Sequence, residues 1–188
     1  MKSMIKFLLL FSLIFSSNAM SASITPYEVK KKLTDNIEIR EYKELLLAKV
    51  SINTNDSENK PFRKLFNFIS GENEQNQEIK MTTPVFKENK NSKMSMSFAM
   101  PADFNEENLP KPNDENIKIE NIENQRFIAI TFSGRSSDDN FEEYQEILVK
   151  KIKLENIKAD LQNTIRAYYN HPWTLPFFKR NEVLFKLN

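Results

Sequence analysis

No cysteine occurs among the 188 residues, and there are only two glycines and one histidine. The missing cysteine excludes disulfides, a thiolate nucleophile and an acylated N-terminal cysteine, so stability must come from packing. Gly71 and Gly134 stand far apart, which excludes phosphate loops that need several glycines close together. A single histidine cannot supply the His/Cys pairs of a structural zinc site. With no G-x-S-x-G elbow either, nothing pairs a nucleophile with an oriented base. An excess of one charge is also lacking: 27 basic and 26 acidic residues are dispersed along the chain. Such a balance leaves no electrostatic footprint for nucleic acid. These absences point to a binding protein that catalyses nothing.

What is present is ample apolar material. Hydrophobic residues make up 39% of the chain, fifteen of them Phe, enough to fill one domain's core. The first residues read as an export signal. Lys2 and Lys6 precede the apolar run Phe7 to Phe15, and Ser17 and Ala19 supply small residues for cleavage. Cleavage is expected after Ala19, or as late as Ala22, leaving residues 20–188 as a single exported domain, periplasmic or secreted. Loss of the segment removes two lysines and no acid, turning a net charge of +1 into −1. The apolar run is too short to span a bilayer comfortably, so no stable membrane span is expected after cleavage.

Alternation and turn residues predict strands at Tyr27–Leu33, Ile37–Lys43 and Leu45–Ile52, followed by a polar loop over residues 53–59. Pro61 opens a helix whose apolar stripe is Phe62, Leu65, Phe66 and Ile69, with Gly71 as its stop. Strands follow at Lys80–Lys87 and Met94–Met100. In the second of these Met94, Met96, Phe98 and Met100 share one face. The second half repeats the order, with strands at Ile117–Ile122 and Arg126–Ser133 joined by a turn at Glu123 and Asn124. A helix opens at Asp138 to Asn140 with Phe141, Tyr144, Leu148 and Ile152 as its buried stripe. Ile165–Tyr169 and Glu182–Leu187 close the chain, with the apolar loop His171 to Phe178 between them. The expected fold is α+β: a curved antiparallel sheet or distorted β-barrel with two helices, in two pseudo-repeated β-β-α-β-β halves. A concave apolar surface on such a sheet is a natural ligand site.

Six motifs go further: IEIREY at 37–42, FISGEN at 68–73, MTTPV at 81–85, FAMP at 98–101, FSG at 132–134 and YNHPWTLPFFKRNEV at 169–183. In order and spacing the chain resembles the SOUL haem-binding protein family from Tyr27 to Leu187. The resemblance implies a barrel with one helix on each half, and haem or a related tetrapyrrole as ligand. It further implies a shallow apolar site by one helix, with basic side chains near the propionates. Carried over, this places Phe62, Arg63, Leu65, Phe66 and Ile69 at the ligand, with Lys60 and Lys64 nearby. Some relatives carry a histidine where this chain has Glu41, so that mode of iron ligation is absent here.

The remaining candidates lie on the second strand pair and in the tail. His171 is the candidate axial ligand, since imidazole is the usual one; the structural alternative is a surface or capping histidine. Met81 could reach the cavity rim, whereas Met94, Met96 and Met100 read as core filler. Trp173 could stack on a macrocycle, and Lys179 could pair with a carboxylate, while Arg180 reads as a turn lock. Tyr168 and Tyr169 are adjacent in a strand, so at most one of them faces a cleft. The expected function is non-catalytic tetrapyrrole buffering, transport or sensing. The alternative is the same fold binding another amphipathic small molecule or a protein partner.

Overall fold

A computed structural model describes residues 23–53, 57, 59–90 and 93–188. The segment read as an export signal and its expected cleavage sites lie outside the described residues, as does most of the polar loop read at 53–59. The fold is organised by two long strands, β3 (Ile37–Asn53) and β7 (Ile117–Phe132), antiparallel from Ile37↔Ile130 to Val50↔Ile117. Here the structure corrects the sequence reading, which split each of them in two. Asn124 does adopt the left-handed conformation of a turn former, with φ 47°, yet β7 runs on through it. Pairing passes from Tyr42↔Gln125 to Glu44↔Glu123, stepping over Lys43 and Asn124. At that row each strand slips one residue in its inward set. Tyr42 is followed inward by Leu45 and Leu47, and Ile122 by Phe127 and Ala129. A strand that changes parity midway looks like two strands in a sequence.

Four more strands close the ring: β5 (Val85–Lys90), β6 (Lys93–Ala99), β8 (Thr164–Tyr168) and β9 (Asn181–Lys186). The order β3-β6-β5-β8-β9-β7, with β7 paired back to β3, makes a six-stranded antiparallel barrel. β2 (Glu28–Lys32) lies on the edge of β3, and β1 (Ser23–Ile24) pairs in parallel with β4 (Thr82–Thr83). The single strand read at Lys80–Lys87 is therefore β4 and β5, divided at Pro84, whose peptide bond to Thr83 is cis. Each helix follows one long strand and precedes a two-stranded hairpin, in place of the β-β-α-β-β unit read from the sequence.

Both helices lie outside the barrel: α1 (Asn59–Ile69) on β3 and β6, α2 (Asp138–Leu154) on β7 and β9. Three apolar clusters result. Beneath α1, Leu65, Phe68 and Ile69 meet Met94, Met96, Phe98 and Met100. Beneath α2, Phe141, Leu148 and Ile152 meet Ile128, Ile130, Val183 and Phe185. Inside the barrel, Tyr42, Leu45, Leu47, Phe86, Phe127, Tyr169 and Leu184 pack together. Among the described residues no helix is long and apolar enough to cross a membrane.

Candidate ligand-binding surface

The apolar residues of α1 span more of the helix than one sheet can cover. Pro61, Leu65, Phe68 and Ile69 turn to the barrel and are buried. That rotation puts Phe62 and Phe66 on the flank, 43% and 49% exposed. Four residues apart, the two rings stack with centroids 6.1 Å apart and planes 12° apart. Phe62 also meets the buried Phe98 edge-on at 5.4 Å. Leu65 and Ile69 thus hold α1 onto the sheet, while Phe62 and Phe66 offer a flat aromatic face. Arg63 is exposed between them in sequence, and an open hollow of about 480 Å³ is lined by Ser57, Asn59, Lys60, Phe62 and Arg63. Lys64 is committed elsewhere, to an ion pair with Asp114. The hydrogen bond from Lys64 holds the Asp114 carboxyl down to about 2.

One row across the barrel wall connects α1 with the tail: Phe98↔Val85, Val85↔Tyr168 and Tyr168↔Asn181. Two strand spacings separate Phe98 from Tyr168, about 10 Å. Tyr168 faces outward against Phe141 of α2, with ring centroids 4.9 Å apart, while Tyr169 points into the barrel. Val85, half-buried, sits between the flank of α1 and the tail loop that leaves after Tyr169. Met81 is half-buried as well and packs against the cluster beneath α1.

The tail loop itself is apolar and exposed. Trp173 is 79% exposed, and Leu175, Phe177 and Phe178 are each more than half exposed. His171 is exposed too and stacks on Trp173, centroids 4.7 Å and planes 5° apart. The Lys179 ammonium donates to the Pro172 carbonyl at 3.0 Å, closing the loop on itself. The Gly134 N–H donates to the Pro176 carbonyl at 2.9 Å, which ties the loop to the connection before α2. At φ 118° that backbone conformation suits glycine. The candidate residues therefore fall into two groups, one on α1 and one in the tail, on either side of the Val85 row.

Two side chains that the sequence did not single out, Arg40 and Glu182, meet inside the barrel. Arg40, fully buried, donates from Nη1 to Glu182 Oε1 at 3.3 Å and from Nη2 to Oε2. Arg180 donates to Glu182 Oε1 from Nε at 3.0 Å and to the Tyr27 hydroxyl at 2.9 Å. Tyr169 donates to Glu182 Oε2 at 3.0 Å, and Thr131 to Oε1 at 3.1 Å. Burial pushes the Glu182 carboxyl up, but Arg40 and Arg180 outweigh it and hold the group below the ordinary range. The turn-lock reading of Arg180 matches this geometry. Arg40 carried a signal, since it shares a strand face with Tyr42 within IEIREY, where a core residue would be expected. Glu41, on the opposite face, pairs with Lys30 at 2.8 Å and Arg126 at 2.9 Å.

The model of the SOUL haem-binding protein family matches residues 22–186. The chain belongs to the SOUL family. No curated protein matches it in sequence. Among solved structures, a protein of Listeria innocua described as a hydrolase has a similar fold. That protein is 11% identical, with TM-score 0.60, over 81% of this chain and 92% of that one. The C-terminal domain of EcmrR is similar as well, 15% identical with TM-score 0.57, over 81% and 96%. A third is SAV2435 bound to tetraphenylphosphonium, 8% identical with TM-score 0.51, over 81% and 93%. At these identities the likeness concerns the fold alone.

The residues on the outer surface fit a haem macrocycle in kind. A flat aromatic pair offers a stacking face, the exposed Arg63 offers a bidentate partner for a carboxylate, and His171 offers an imidazole. The barrel interior does not fit: its cavity is about 200 Å³, below the range of roughly 300–1,000 Å³ usual for drug-sized ligands.

Proposed function

We propose that this SOUL-family protein binds haem or a related tetrapyrrole, without catalysis, on the outer surface of the barrel between α1 and the tail loop. The observation that carries the reading is the stacked Phe62–Phe66 pair, half exposed beside Arg63 on a chain of this family. Apolar burial of the macrocycle supplies most of the affinity, at about 25 cal/mol per Å². Arg63 and Lys60 steer the propionates by charge-assisted hydrogen bonds. Trp173 and Phe178 cover the far side of the row, Lys179 stands at the rim, and Met81 fills the gap beneath. His171 is the candidate axial ligand. In this reading the protein is exported and buffers, carries or senses its ligand.

A second reading keeps the surface and changes the ligand to another amphipathic molecule or a protein segment. It is supported by a protein of this fold holding tetraphenylphosphonium. The description of another similar structure as a hydrolase carries no activity over at 11% identity.

Titration with haemin separates the two readings. The first expects a saturable shift of the Soret band at micromolar haemin, with one haem per chain. A spectrum indistinguishable from free haemin would overturn it in favour of the second.

A further inference from the structure

The interior of the barrel holds a cavity that the outer surface does not use. Its volume is about 200 Å³, and its walls are Leu47, Phe86, Ile122, Phe127, Ile165 and Leu184. These side chains come from five of the six strands, so the pocket is part of the barrel itself. Tyr42 completes the wall; its ring lies 5.6 Å from those of Tyr27 and Phe127. The Tyr42 residue is only 1% exposed, yet its hydroxyl finds no hydrogen-bond partner. Two residues earlier on the same face, Arg40 Nε is likewise buried without a partner. Arg40 does not line the cavity, but Tyr42 does; buried polar atoms are paired almost everywhere in folded proteins, so an orphan hydroxyl on a residue of the cavity wall needs an explanation.

The mouth sets the charge of what can enter. Lys49 bridges Glu88 at 3.5 Å and Glu120 at 3.2 Å, and Lys186, also in the lining, brings the cations there to two against two carboxylates. The rim is therefore neutral overall. A dianionic macrocycle matches neither this rim nor the volume. An apolar cavity of about 150 Å³ already holds benzene, so this one takes a single ring with a short substituent.

We propose that the barrel interior is a second binding site, for a small neutral aromatic molecule whose one oxygen accepts a hydrogen bond from the Tyr42 hydroxyl. Burial pushes the Tyr42 phenol well above its ordinary value, so the group stays protonated and donates. The apolar walls select the ring, and the orphan Tyr42 hydroxyl selects an acceptor over a plain hydrocarbon. The site is independent of the haem reading, because it shares no residue with α1 or the tail loop.

Acetophenone and cumene, equal in size but differing in the carbonyl, are suitable probes. Calorimetry with the intact protein should show acetophenone binding more tightly, and Tyr42→Phe should weaken it about tenfold while leaving cumene unchanged. Ile165→Trp, which fills the cavity, should abolish both. Should that variant not fold, methyl and aromatic NMR on the unaltered protein decides, with shifts expected at Leu47, Phe86, Ile122 and Leu184. The proposal is overturned by no saturable binding of either probe at millimolar concentration. It is overturned equally by probe-induced shifts confined to residues outside the barrel.

Discussion

Arg40 of β3 and Glu182 of β9 meet inside the barrel as a two-pronged pair, with β7 lying between their strands and their positions 142 apart in the chain. Both side chains are fully buried, and Glu182 gathers further donors from Arg180, Tyr169 and Thr131. The pair joins two of the motifs, IEIREY and the tail ending in RNEV. A buried pair is costly to break, because removing one partner strands the other charge away from water. Glu182→Gln is expected to lose about 3–5 kcal/mol of stability in urea unfolding. Arg40→Met combined with Glu182→Leu should lose less than either single change. A Glu182→Gln protein with unchanged midpoint would remove the pair from the list of what holds the barrel closed.

The same pair gives stability a direction in pH. The Glu182 carboxyl is raised by burial but lowered more by Arg40 and Arg180, and it ends below its ordinary value. Its contribution is therefore fully present above the unfolded value, about 4.3, and is lost as pH falls through the lower folded one. Asp114, held down to about 2 by Lys64, loses its contribution as pH falls from about 3.9 towards that value. As a partly exposed pair it is worth only about 0–1 kcal/mol. Thermal melts from pH 6 down to pH 2 should show a steep acid loss in the native protein. The slope should be markedly shallower in Glu182→Gln and nearly unaltered in Lys64→Met.

Within α1, stability and ligand binding should separate by face. Leu65→Ala or Phe68→Ala opens the core beneath the helix and is expected to cost about 2–5 kcal/mol. Phe62→Ala with Phe66→Ala removes half-exposed rings and should cost far less. That double variant should nonetheless weaken haemin binding at least tenfold, since each ring loses on the order of 1 kcal/mol of macrocycle contact. Haemin titration and urea unfolding on the same preparations would test both halves. Equal haemin affinity in the double variant would place the ligand elsewhere.

Much of this frame was legible in the sequence, and the parts that were not have physical reasons. The alternation of MSMSFAM put Met94, Met96, Phe98 and Met100 on one face, and that face packs beneath α1. The opposed directions of Tyr168 and Tyr169 also follow from strand geometry alone. The rotation of α1 does not follow: with Pro61, Phe62, Leu65, Phe66, Phe68 and Ile69 all apolar, periodicity cannot say which flank is left uncovered. Nor does the continuity of β3 and β7, because the parity slip at Lys43 and Asn124 reads as an end of strand. The interior charges were hidden for a third reason. The face that Arg40 shares with Tyr42 hints at a buried charge, but its partner Glu182 lies in a distant motif that nothing in the spacing connects to it.

The tail histidine admits a sharp spectroscopic test. His171 is exposed and stacked on Trp173, so His171→Ala should leave the fold intact. If the imidazole ligates the iron, the variant's Soret and visible bands shift and affinity falls. Unchanged spectra would exclude His171 as the ligand and leave apolar burial with basic contacts as the whole of the binding.

The central claim is that haem is held on the outer surface, by α1 and the tail loop. It is tested most directly by NMR mapping with gallium protoporphyrin, a diamagnetic stand-in for haem. The account predicts the largest shifts at Lys60 to Phe66, at Val85 and across His171 to Phe178, with the interior signals of Leu47, Phe86 and Phe127 unmoved. Shifts centred on those interior residues, with α1 and the tail silent, would contradict it.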